Sequence, residues 1–197
     1  MLTLLFPEGA KDETEPIYQS SPIARYYNVL ARHVIGRLAD TADRGRTLRV
    51  LEVGGGTGGL TSAVLPVLPA DRCEYVFTDI SPAFVQSAVE GYQRYEFVTG
   101  RTLDIEGDLA AQGIELGSFD LVLASDVVHA TADVKRTLLH LREVLAPGGV
   151  LAMMESRIAL EALASRTSAI SPLPEEPRYL PSYLLRGRIS MPVQVKR

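Results

Sequence analysis

A chain of 197 residues, 46% apolar and 22% charged, has the length of one domain and the composition of a globular protein with a sizeable core. Its formal net charge is −4 and unevenly placed: Pro172–Arg197 is basic (Arg178, Arg186, Arg188, Lys196 and Arg197 against Glu175 and Glu176) but too sparse for a nucleic-acid partner. A single cysteine, Cys73, excludes an internal disulfide and a cysteine-built metal cluster, and the apolar start Met1–Phe6 lacks a basic flank and is cut by Pro7 and Glu8, so a cytoplasmic protein without membrane anchor is expected.

Residues 1–20 are turn-prone, with Pro7, Gly9 and Pro16 beside Asp12, Glu13 and Glu15. A helix is predicted next, capped by Ser21, begun by Pro22, and carrying Ile23, Tyr26, Tyr27, Leu30, Val34, Ile35 and Leu38 at three- and four-residue steps toward Ala39. Tyr26 and Tyr27 are expected in the core or against a lid, and His33 as an ordinary helical histidine. The stretch Leu48–Leu60, LRVLEVGGGTGGL, then reads as a buried parallel strand ending in glycines that turn into a helix N-terminus. Unpaired helical N–H groups make such a turn a nucleotide-type site. Gly54, Gly56 and Gly59 fit the dinucleotide spacing GxGxxG, whereas Glu52, Gly54, Gly56 and Gly58 fit ExGxGxG, and the window alone leaves both open. Its bland rival is a glycine turn that binds nothing.

The helix from Leu60 is predicted to stop at Pro66–Pro69, with a turn at Asp71-Arg72 into a second strand, Tyr75–Thr78. Asp79 then sits at that strand's carboxyl end, 20 residues beyond Gly59, where either cofactor wants a carboxylate for ribose hydroxyls. Ser81 is expected to cap and Pro82 to begin a helix to about Tyr92, with Phe84, Val85, Ala88 and Val89 inward. Tyr95–Leu103 reads as a third strand ending at Asp104-Ile105, and 107–117 as a short helix or loop. Phe119–Ser125, nearly continuous in apolar residues, reads as a strand covered on both faces. Thr131 is expected to cap a helix packing Val134, Leu138, Leu141 and Leu145, stopped by Pro147-Gly148-Gly149 before a fifth strand, Val150–Met154, that ends at Glu155. His140, in that helix, reads as structural. Strands alternating with helices predict an α/β fold, a doubly wound and mostly parallel sheet. Beyond it, 157–165 could form one more helix and Arg188–Val195 a last strand, short of what completes a seven-stranded sheet.

On LFPEGA, SPIARYYN, LRVLEVGGGTGGLTSAVLPVL, YVFTDISPAF, LDIEGDLAAQGIELGSFDLVLASDVVHAT and LREVLAPGGVLAMME, the chain resembles class I S-adenosylmethionine methyltransferases, and more narrowly the methyltransferase domains of type I polyketide synthases, over about residues 4 to 156. The resemblance implies a Rossmann-like core at 47–156, a helical lid segment at 1–46 and an atypical short C-terminal extension at 157–197. It implies S-adenosylmethionine as cofactor, with Glu52, Gly54, Gly56 and Gly58 in the loop at its amino-acid end, Asp79 on the ribose, Ile80 against adenine, Asp104 and Ile105 at the adenine edge, and Ser125 beside the sulfonium. Asp126 stands where the family often has asparagine. His129, in the motif of the family's histidine, and Glu155 are implied as the catalytic dyad, a carboxylate-oriented imidazole suited to deprotonating an acceptor near neutral pH. No metal is implied. The implied partners are an acyl carrier protein with a tethered polyketide intermediate and neighbouring synthase domains. The implied reaction is methylation at the α-carbon of a β-ketoacyl thioester; O-methylation of a β-hydroxyl or enol, and an inactive scaffold domain, are its rivals.

Overall fold

The computed structural model describes residues 22–154 and, beyond them, the backbone of residues 169–172, 178–179, 188–190 and 193–196. In chain order the first unit contains α1 (Pro22–Thr41), β1 (Leu48–Val53), α2 (Gly59–Val64), β2 (Cys73–Asp79), α3 (Pro82–Gly91), β3 (Val98–Thr102), β4 (Phe119–Ser125), α4 (Val134–Val144) and β5 (Leu145–Met154). Short 3-10 turns follow α2 at Leu65–Val67 and β4 at Val128–Ala130. The sheet order is β3-β2-β1-β4-β5 with every pair parallel, the doubly wound arrangement expected from alternating strands and helices. From β1 the chain steps outward to β2 and β3, then returns to β1's other side as β4. Such a reversal opens a crevice at the carboxyl ends of β1 and β4, where ligands bind in this class of sheet.

The side-chain alternation of strands explains why the central ones are apolar throughout. Val50, Tyr75, Phe77, Leu121 and Leu123 join one core with Ile35 and Ala39 of α1, Leu60 and Val64 of α2, and Val85 and Ala88 of α3. Leu51, Val53, Val122 and Ala124 are buried at the alternate positions. Each large side chain among them contributes about 1.5–3 kcal/mol of burial, so the crevice stands on a rigid base. At the opposite, amino-terminal edge Asp120 accepts from the Arg49 backbone N–H at 2.9 Å and pairs with Arg46. The Arg49 side chain bonds Glu74 and Glu115 and lies over the Phe119 ring.

Several local expectations shift. Among the described side chains of α1 Ile35 and Ala39 are buried; Tyr26 (67% exposed), Tyr27, Leu30 and Val34 face outward, the two tyrosines meeting edge to face. The helix therefore carries a second apolar stripe that periodicity alone does not separate from the inner one. The α3 N-terminus is not capped by the Ser81 side chain; Asp79 takes the Ser81 N–H instead. Val89 is exposed and Phe84 half-buried, leaving Val85 and Ala88 as the inward pair. At α4 the cap is Asp133, accepting from Arg136 N–H at 3.0 Å, while the Thr131 hydroxyl turns back to the Val128 carbonyl. β3 starts at Val98 because Tyr95 and Val98 amides close turns on Tyr92 and Tyr95. Residues 107–117 form turns rather than a helix, and β5 begins at Leu145, with a register shift against β4 that accommodates Pro147-Gly148-Gly149.

The second unit, Ser156–Arg197, holds two antiparallel pairs: β6 (Ala169–Pro172) with β9 (Val193–Lys196), and β7 (Arg178–Tyr179) with β8 (Arg188–Ser190). The single strand expected over 188–195 is thus two strands in different pairs. Residues 1–21, with the expected Ser21 cap, the expected helix at 157–165 and Glu155 lie outside the described residues.

Candidate functional site

The crevice begins at the glycine loop. Gly54 has φ +61°, and a Cβ there would fall 2.2 Å from a methyl of Val127, so the loop after β4 rests directly on this backbone. Gly56 has φ +53°, yet a Cβ at Gly56 would meet only the Gly54 carbonyl at 4.0 Å, leaving that face of the loop open. Asp79 closes the next position. Its Oδ2 accepts from Gly56 N–H at 2.9 Å and its Oδ1 from Ser81 N–H at 2.8 Å, while the carboxylate stays largely buried. Each oxygen thus holds one backbone donor, and a carboxylate oxygen has capacity for a second, such as one hydroxyl of a diol.

Glu52 is placed differently from the expected ligand contact. It is 1% exposed and lies beneath the loop, where its Oε2 accepts from the Thr61 hydroxyl at 2.6 Å and the Tyr75 hydroxyl at 2.7 Å. Thr61 belongs to α2 and Glu52 to β1, so the carboxylate joins the two ends of the glycine turn. Its pKa is raised to about 7: burial pushes it up, the Thr61 and Tyr75 hydrogen bonds partly offset that, and the Asp79 charge adds to the rise. The Thr78 hydroxyl bonds the Glu52 carbonyl at 2.7 Å, and the Tyr92 hydroxyl bonds the Gly58 carbonyl at 2.9 Å. Sequence reasoning does not single out Thr61, Tyr75 and Tyr92. Their one signal is a hydroxyl among apolar neighbours on elements flanking the turn.

Beside Asp79, Ile80 is 55% exposed at the mouth. The end of β3 is tied to it by Leu103 N–H to Asp79 carbonyl, 2.9 Å. Gln112 then brackets Asp104, accepting from its N–H at 2.8 Å and donating to its carbonyl at 2.9 Å. Asp104 Oδ1 accepts from Glu106 N–H at 2.9 Å, and the Ile105 carbonyl accepts from His140 Nδ1 at 3.1 Å, which requires the proton on that nitrogen. His140 therefore joins α4 to this loop.

On the far side of the crevice Ser125 ends β4 and Asp126 takes φ 51°, a left-handed conformation that aspartate tolerates better than most residues. The Asp126 N–H donates to the Met154 carbonyl at 3.1 Å, binding the exits of β4 and β5 together. Val128 is buried and His129 half-buried in the following 3-10 turn, which Thr131 closes through both its N–H and hydroxyl to the Val128 carbonyl. The loop ends with Ala132 N–H bonded to Glu106 Oε2 at 3.0 Å. Asp79 and Ser125 end their strands, and Gly54, Gly56, Ile80, Asp104, Ile105 and His129 lie in the loops that leave the same carboxyl edge of the sheet. Gly58 stands at the N-cap of α2.

A buried carboxylate, an exposed isoleucine and bare loop backbone can meet the ribose, base and zwitterionic end of S-adenosylmethionine. Among the described residues no group of three His, Cys, Asp or Glu could hold a metal ion, and no helix is long and apolar enough to cross a membrane.

Residues 51–151 match the family described as "Methyltransferase domain", and this family match decides between S-adenosylmethionine and a dinucleotide. The chain is similar to polyketide synthase ThaG of Burkholderia thailandensis, with 38% identity over 156 residues, 77% of this chain and 3% of that protein. Among solved structures it is similar to the CurJ carbon methyltransferase, at TM-score 0.75 and 32% identity, covering 89% of this chain and 56% of that one. A trans-methyltransferase, CalH, solved in complex with SAH, aligns at TM-score 0.57 and 36% identity over 70% of this chain and 40% of that one. The chain spans about half the length of the CurJ structure and a small fraction of the curated synthases it matches.

Proposed function

Because this chain belongs to the methyltransferase-domain family, we propose that it moves the methyl group of S-adenosylmethionine to a polyketide intermediate tethered to an acyl carrier protein. The favoured acceptor is the α-carbon of a β-ketoacyl thioester. The observation that carries the cofactor assignment is Asp79, held between the Gly56 and Ser81 amides at the sheet's switch point with lone pairs left for a diol. Ile80 would cover one face of the base, and Asp104 and Ile105 would border its edge. Gly54, Gly56 and Gly58 give the amino-acid end a backbone surface, with Glu52 bracing that surface from below. Ser125 lies nearest the reacting end.

Bound S-adenosylmethionine supplies a methyl group already activated on a sulfonium. The protein's remaining work is to align the acceptor and make it a nucleophile. His129 takes the α-proton of the thioester, leaving an enolate whose carbon faces the methyl group in line. Glu155 orients the imidazole and balances the charge it gains. Two observations support the dyad: β4 and β5 are adjacent, Ser125 pairing with Met154, and Asp126 N–H bonds the Met154 carbonyl. In sequence Glu155 follows Met154 directly, and Met154 pairs with Ser125, from which the chain runs on to His129. The similarity to CurJ, a carbon methyltransferase, favours carbon as the acceptor, and neighbouring synthase domains are the expected context.

The test is to incubate the protein with S-adenosylmethionine and a β-ketoacyl carrier protein, then locate the added mass by fragmentation. A methyl on the α-carbon is the expected outcome. A methyl on oxygen would redirect the assignment to an O-methyltransferase, and no methyl together with no calorimetric heat from the cofactor would leave a scaffold domain.

A further inference from the structure

The His129 turn is suspended between two anchors of different kinds. Its near end is the backbone bond from Asp126 N–H to the Met154 carbonyl, fixed by the β4–β5 ladder. Its far end is the bond from Ala132 N–H to Glu106 Oε2 at 3.0 Å, made by a side chain from the loop after β3. That loop also contains Asp104 and Ile105, and Asp104 itself fixes Glu106 by accepting its N–H. His140 repeats the connection one step farther on, from α4 to the Ile105 carbonyl. Immediately after Ala132, Asp133 caps α4 by accepting from Arg136 N–H.

We propose that Glu106 is a positioning residue that clasps the loop carrying His129 to the adenine-side loop, so that the placement of the imidazole depends on the loop that borders the cofactor. The proposal rests on the methyltransferase reading for its consequence in turnover, and on the geometry alone for the clasp. Ala132 N–H has a carboxylate oxygen as acceptor, and a hydrogen bond to a charged acceptor is stronger than one to a neutral group. The site is solvent-exposed, so its loss barely touches the core and leaves the fold standing. Its effect is geometric: a base displaced by a fraction of its reach costs far more in turnover than in stability.

Three proteins test this: the unaltered chain, Glu106→Ala and Glu106→Gln. Amide hydrogen exchange on the cofactor-free proteins reads the clasp directly. In Glu106→Ala the Ala132 amide should exchange about 10-fold faster, with loosening across 127–131, while Glu106→Gln retains protection because its carboxamide oxygen accepts the same N–H. In methyl transfer, kcat should fall roughly 10- to 100-fold in Glu106→Ala and largely recover in Glu106→Gln. Calorimetric affinity for S-adenosylmethionine should stay within about 2-fold throughout, since Glu106 meets the loop's neighbour and not the ligand. Unchanged exchange at Ala132 in Glu106→Ala overturns the clasp, as does a glutamine variant no better than alanine. If exchange behaves as expected but the unaltered protein transfers no methyl, the clasp stands and the methyltransferase reading fails.

Discussion

The two sides of the crevice are built by different means. On the β1–β2 side the glycine turn is held from beneath by buried groups: Glu52 between Thr61 and Tyr75, Thr78 on the Glu52 carbonyl, and Asp79 between two backbone amides. On the β4–β5 side the ends of the His129 turn are tied by a backbone bond and by an exposed carboxylate, with Val127 against Gly54 and Val128 buried between them. The contrast fits a division of labour. A surface that recognises one unchanging cofactor gains from rigid, desolvated bonds, whereas a turn with the proposed role of admitting an acceptor would gain from bonds that water can replace.

Substitutions on opposite sides should therefore separate binding from turnover. The largest effect is expected from His129→Ala, which should lower kcat by about 10²–10⁴-fold with cofactor affinity nearly intact by calorimetry; equal loss of both would place His129 on the wrong side of the comparison. Asp79→Ala should do the reverse. Removing two charge-assisted bonds and the ribose acceptors should weaken cofactor binding by roughly 100-fold, together with a lower melting temperature, because the Gly56 and Ser81 amides lose their partner. A variant that binds as tightly as the unaltered chain would remove Asp79 from the site.

The smallest effect concerns Glu52 and is read through pH. Its folded-state pKa is raised, chiefly by burial, to about 7 from an ordinary 4.5, so the folded protein holds a proton that the unfolded chain releases at lower pH. Its contribution to stability is full below about pH 4.5 and declines as pH rises through 7. The groups facing it are the Thr61 and Tyr75 hydroxyls, with the Asp79 charge nearby. Thermal melts from pH 5 to 8 should thus show a downward slope that Glu52→Gln flattens. The same slope in both proteins would mean the carboxylate is ionised throughout.

How much of this is legible in the sequence follows the same divide. The strand Leu48–Val53, its glycines and Asp79 at the end of β2 are readable, because burial imposes periodicity and a tight turn imposes glycine. What the sequence conceals are choices among competing donors and acceptors. Ser81 and Thr131 are both good cap residues, yet Asp79 takes the Ser81 amide, and Asp133 lies better placed for α4. Glu52 follows the expected motif but turns its carboxylate into the core, a choice decided by Tyr75 on a neighbouring strand. The tie between Glu106 and Ala132 spans two loops and leaves no periodic trace at all. Likewise α1 repeats apolar residues on two stripes, and only its packing against α2 distinguishes Ile35 from Val34.

The seat that Gly54 gives to Val127 has a consequence for how such a protein can change. With only 2.2 Å between a would-be methyl at 54 and the Val127 side chain, the smallest enlargement there acts as a wedge, prising the turn after β4 off the glycine loop. Both walls of the crevice meet at that one point. A designer wishing to enlarge the acceptor's berth must begin farther out, and leave that contact bare.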